Sequence, residues 1–194
     1  LVETASPDHR PLTRARALAL CGAGLSALAA IAGHQAALGQ ARTLFDAAAD
    51  QFTPDHSPLD WAAIQILGAG EAAQSLMLLA QAEALTQGRD LVLGALARER
   101  RIAREIALAE AVGDLTALAT LETRLRARMG GAAPLDWSAD QIGMAEILLA
   151  RRRLTAAPVA DLGLILGEAA ATARERGADI LAERAERLLA GAGA

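Results

Sequence analysis

Residues 57–66 read Ser57-Pro58-Leu59-Asp60-Trp61-Ala62-Ala63-Ile64-Gln65-Ile66, and residues 133–142 read Ala133-Pro134-Leu135-Asp136-Trp137-Ser138-Ala139-Asp140-Gln141-Ile142. Pro-Leu-Asp-Trp, three intervening residues and Gln-Ile therefore occur twice, with the two tryptophans 76 residues apart. Each copy reads as the start of a helix. Proline suits the first helical position, where its missing N–H costs nothing. Aspartate follows in the first turn, where the helix dipole favours negative charge. Tryptophan then faces the preceding helix, and glutamine, four residues on, shares its face. Ser57 supplies an N-cap for the first copy. An echo at this distance, about two units of 38 residues, signals stacked supersecondary units that cannot bury their apolar faces alone.

The remainder of the chain is composed for helices. Of 194 residues 53% are hydrophobic but only 2% aromatic, so the apolar mass is Ala, Leu, Ile and Val. Alanine and leucine are strong helix formers, and small side chains let helices approach closely. The β-branched and aromatic residues on which sheets rely are scarce. The fold class is all-α. Lys, Asn and Tyr are absent, which points to a GC-rich genome and makes every one of the 19 basic residues an arginine. Against 23 acids they leave a net charge of −4. A nucleic-acid binder presents a basic excess, so nucleic acid is not an expected partner.

Punctuation divides the sequence into about eight helices. Thr13 caps a first helix ending near Gly33, and a second covers Gln35–Gln51 with Ala37, Leu38, Ala41, Leu44, Phe45, Ala48 and Phe52 on one side. Spacings of three and four mark one buried face. A third runs from Pro58 to Thr86, and a fourth from Asp90 to Val112 with Leu91, Ala95, Ile102, Ile106 and Ala109 on a stripe. Gly113-Asp114 ends one helix and caps the next, Leu115–Arg128. Pro134 opens a sixth, Pro158 a seventh, and Asp179 caps the last. Glu122/Arg126 and Glu183/Arg187 stand four apart in the favourable order and mark exposed faces. Short loops make successive helices antiparallel neighbours.

The uncharged stretch Ala17–Gly33 is 17 residues long. That is marginal for a bilayer, which takes roughly 20 apolar residues, so it reads as a buried helix rather than a membrane span or signal. Cys21, the single cysteine, reads as a buried structural thiol. Because the chain starts at Leu1 rather than Met, it is expected to be part of a longer one. Its expected compartment is the cytoplasm, with the periplasm open.

The doubled segment resembles tetratricopeptide repeats, specifically a bacterial subset whose first helix opens Pro-Leu-Asp-Trp-Ala. The similarity covers residues 57–70 and 133–145. Where such repeats place Leu-Gly after the glutamine, this chain has Gly68-Ala69 and Met144-Ala145. The resemblance implies one domain over residues 1–194, a short right-handed superhelix of stacked antiparallel helix pairs. It further implies a non-catalytic interaction scaffold, without cofactor, that receives a peptide or partner helix in a concave groove lined by first helices. Carried over by register, the groove positions are Ile66, Gly70 and Gln74 in one unit and Ile142, Glu146 and Leu149 in the other.

Other chemistry is not indicated. His9, His34 and His56 are scattered and match no metal-ligand spacing. Gly22-Ala23-Gly24 and Gly68-Ala69-Gly70 follow no strand and no Gly-Lys-Ser/Thr exists, so these glycines read as close helix contacts. Asp46, Asp50, Asp55 and Asp60 fit no calcium loop. A basic ridge through Arg98, Arg101 and Arg104 is the rival site, diluted by acids and lacking aromatic residues to stack bases. Neither an enzyme nor a metal protein is expected. Two alternatives to the scaffold stay open, a helical bundle sensing a small apolar ligand and an assembly tail of a larger protein.

Overall fold

A computed structural model describes residues 10–68, 74–156, 158–159 and 161–192, apart from the side chains of Ala30 and Gln74. The protein is all-α. Nine helices run through the described residues: α1 Pro11–Ala32, α2 Gln35–Ala49, α3 Pro58–Gly68, α4 Gln74–Thr86, α5 Leu91–Ala111, α6 Leu115–Met129, α7 Pro134–Thr155, α8 Leu162–Glu175 and α9 Asp179–Ala192. The span expected as a third helix, Pro58 to Thr86, holds both α3 and α4, and residues 69–73 within it lie outside the described residues. The chain divides into two compact units, Leu1–Arg89 and Asp90–Ala194.

Helix boundaries mostly follow local chemistry. Asp90 accepts hydrogen bonds from the amides of Val92 and Leu93, both at 3.0 Å, and Asp114 accepts one from Ala117 at 2.9 Å. Each satisfies donors that a helix N-terminus otherwise leaves open. Gly113 turns the chain from α5 into α6 at φ 70°, a left-handed conformation that glycine adopts without penalty. Three starts differ from expectation. Pro11 occupies the first position of α1, placing Thr13 inside the helix rather than at its cap. Helix α8 begins at Leu162 instead of Pro158, because Asp161 at φ 64° breaks the backbone between them. Asp179 is the first residue of α9, where its charge still meets the positive end of the helix.

In the first unit α1 packs against α2, and α3 lies against both. Phe45 of α2 is 5% exposed and is the centre of that contact. A Cβ placed on Gly22 of α1 or on Gly68 of α3 would come within 3.2 Å of its ring. These two glycines therefore do what the sequence suggested and admit an aromatic ring between helices. Cys21 differs from expectation and is exposed. Beyond Arg16 helix α1 carries no charge on any side, so burial of one face leaves Leu20, Leu28 and Ile31 exposed on others, and Cys21 with them. Among the described residues no helix is long and apolar enough to cross a membrane.

The second unit is organised around α7, which touches α5, α6, α8 and α9. Twelve of its 22 residues are buried. Ile102, Ile106 and Ala109 from α5, Leu118, Leu121 and Leu125 from α6, and Met144, Ile147 and Ala150 from α7 form a continuous core. Three- and four-residue spacings explain the membership, since each set lies on one stripe of its helix. Gly143 sits where the three helices meet. A Cβ there would stand 2.5 Å from Ile102 Cγ2 and 3.1 Å from Leu125 Cδ1.

Ile102 is β-branched and stiff at χ1, so its methyl has no inexpensive way to retreat. Gly143→Ala is expected to destabilise the protein by about 1–3 kcal/mol in chemical denaturation. Gly167→Ala at an exposed position of α8, where a Cβ meets nothing within 4 Å, is expected to stabilise it by about 0.5–1 kcal/mol. A neutral Gly143→Ala would contradict the three-helix contact.

Candidate functional site

The residues assigned to a groove by register fall in different places. Ile66 and Ile142 are core, 4% and 0% exposed, because the position after the glutamine turns inward in both copies. Gly70 lies outside the described residues, and Gln74 begins α4 with its side chain outside them. Glu146 and Leu149 come together on the wall of one cavity of about 200 Å³ in the second unit.

Three helices build that cavity, and periodicity dictates their contributions. Ala103, Ile106, Ala107 and Glu110 come from α5. Glu146, Leu149 and Arg153 come from α7, and Arg184 and Leu188 from α9. Each set is spaced by three or four residues and so occupies one helix face. Helices α6 and α8 also pack on α7 but place no residue on the wall.

The charged members are tightly paired. Arg184 donates from Nε to Glu99 Oε1 at 3.0 Å and from Nη2 to Glu146 Oε1, so one guanidinium joins α5, α7 and α9. The second oxygen of Glu99 faces Arg100 Nε at 3.8 Å. At the cavity mouth Arg153 donates to both oxygens of Glu110, with Nη2 to Oε2 at 2.8 Å. This fork geometry is the strong form of an arginine–carboxylate pair. The Arg153 hydrogen bond holds Glu110 below the usual carboxylate range. Glu146 is the opposite case. Burial dominates and raises its pKa to about 7, with the Glu99 charge adding to the rise and Arg184 opposing it.

A second buried carboxylate lies near the start of α7. Asp140 is fully buried, accepts from Arg128 Nη2 at 2.7 Å, and has no partner for Oδ2. Burial pushes its carboxyl up, against the pull of Arg128 and Arg98. Ser138, also fully buried, donates to the carbonyl of Ala169 at 2.7 Å. One turn earlier Asp136 pairs with Arg98 of α5 at 3.3 Å. Its counterpart in the first unit, Asp60, accepts a two-point pair from Arg16 of α1 at 2.8 and 2.7 Å. In both units, then, the third helix carries Pro-Leu-Asp-Trp and its aspartate takes an arginine from the unit's first helix. The tryptophans sit less alike, Trp61 buried and Trp137 partly exposed.

Two of the three arginines of the rival ridge, Arg98 and Arg101, face acids. Arg98 pairs with Asp136, Arg101 with Glu105 at 2.6 Å, and Arg104 is partly buried with no hydrogen bond to its Nε. Arg124 reaches the same Glu105, and Arg126 and Arg151 share Glu122 at 2.6 and 2.5 Å. Cations neutralised in this way offer little to phosphate. His34 accepts from the amide of Ala37 at 3.4 Å, His56 contacts Thr53 Oγ1 at 3.1 Å, and His9 lies outside the described residues. Among the described residues no group of His, Cys, Asp and Glu has metal-site geometry.

Register identified Glu146 and Leu149 but not Glu99, Glu110, Arg153 or Arg184. A usable signal was present for Glu146, the only charge within Ile142–Ala150. A lone carboxylate in such a run needs a partner from another helix. Which of 19 arginines supplies it depends on packing.

The raised pKa of Glu146 has a defined consequence for stability. Between about pH 4.5 and 7 the folded protein binds more protons than the unfolded chain, so this group's contribution is full below that window and lost as pH rises through it. Glu146→Gln does not titrate. Relative to wild type it is expected to gain about 2–3 kcal/mol between pH 5 and pH 8 in urea unfolding. A difference independent of pH would remove the assigned environment.

No protein-family model, curated protein or solved structure matches this chain.

Proposed function

We propose that this protein is a non-catalytic interaction scaffold of tetratricopeptide-like helix pairs, whose α5, α7 and α9 are successive first helices presenting a groove to a peptide or partner helix. The observation that carries this reading is the cavity, walled by those three helices and by neither of the alternating ones. Such an arrangement is what a stack of helix pairs produces when first helices share one face. The order of contacts agrees, with α5 against α6, α6 against α7, α7 against α8 and α8 against α9, while α7 also touches α5 and α9.

Size and polarity favour a protein partner over a small apolar ligand. Small-molecule sites are mostly apolar and typically about 300–1,000 Å³. This cavity is about 200 Å³, and Glu110, Glu146, Arg153 and Arg184 are four of its nine lining residues. It has room for one long side chain of a bound segment, with the rest of that segment lying outside along the helices.

Ala107 is exposed at the cavity wall, so a longer side chain there obstructs the groove without disturbing the core. Peptides enriched by display selection on the full chain are expected to bind Ala107→Gln at least about tenfold more weakly, roughly 1.4 kcal/mol, in fluorescence anisotropy. Ala127→Gln, at an exposed position of α6 away from the wall, is expected to leave affinity unchanged. Equal binding to both variants would overturn the groove.

A further inference from the structure

We draw no further inference here: the strongest candidate, the exposed apolar face of α1 that carries Leu20, Leu28 and Ile31, supports none because nothing in the structure shows what covers it.

Discussion

Burial of the middle of α7, residues 135–151, is the constraint from which the second unit follows. Between Leu135 and Arg151 a helix packed against four others has no exposed residue, and α7 carries Ser138, Asp140 and Glu146 buried within that span. Unpaired, each would cost several kcal/mol, and the carboxylates more. Each is therefore met from another helix: Ser138 by a carbonyl of α8, Asp140 by Arg128 of α6, Glu146 by Arg184 of α9. Non-directional packing of Ala, Leu and Ile brings the helices together, and these few directional contacts select one register among the many that such smooth surfaces allow. With almost no aromatic side chains to key the core, that role passes to buried polar pairs and to close contacts such as Gly143 on Ile102.

The cavity is a by-product of the same arrangement. Where α5, α7 and α9 share a face, Ala103 and Ala107 are too small to fill the space that Ile106, Leu149 and Leu188 frame. Arg184 closes its inner end by holding Glu99 and Glu146 together, and Arg153 closes its mouth by holding Glu110. Two guanidiniums thus fix the spacing of three helices around a small opening. Exposed salt bridges elsewhere, such as Arg187–Glu183 at 3.5 Å, contribute little by comparison because water screens them.

Much of this architecture was legible in the sequence, for identifiable reasons. Helix class, approximate helix number and the stripes through Phe45 and Ile102, apart from the exposed Leu91, follow from periodicity, which is a local property. The glycines at 22 and 68 could be read as close contacts because no strand or lysine accompanied them. Helix starts were less secure, since Thr13 and Pro158 are both good opening residues and only the neighbouring backbone decided against them. Cys21 was misread as buried because an apolar helix gives no sign of which face its unit covers. Glu146 and Leu149 were reached by register, whereas Ile66 and Ile142, placed in the groove by the same register, are core. The arginines were illegible as individuals. A guanidinium looks the same in sequence whether it caps a surface pair or joins three helices, and that distinction belongs to tertiary structure.

Two carboxylates on one helix differ in what their burial borders. Asp140 and Glu146 both sit on α7, both are opposed by an arginine, and burial raises the pKa of both. Asp140 is fully buried and borders no cavity described here, so its arginine acts as a staple between α6 and α7. Glu146 carries the same chemistry to the edge of an opening, where a group from outside the chain can reach it. A neutral glutamine would fill that position at lower electrostatic cost, and a leucine would extend the core. The ionisable group at the wall is thus held by Arg184 on one side and borders the opening on the other.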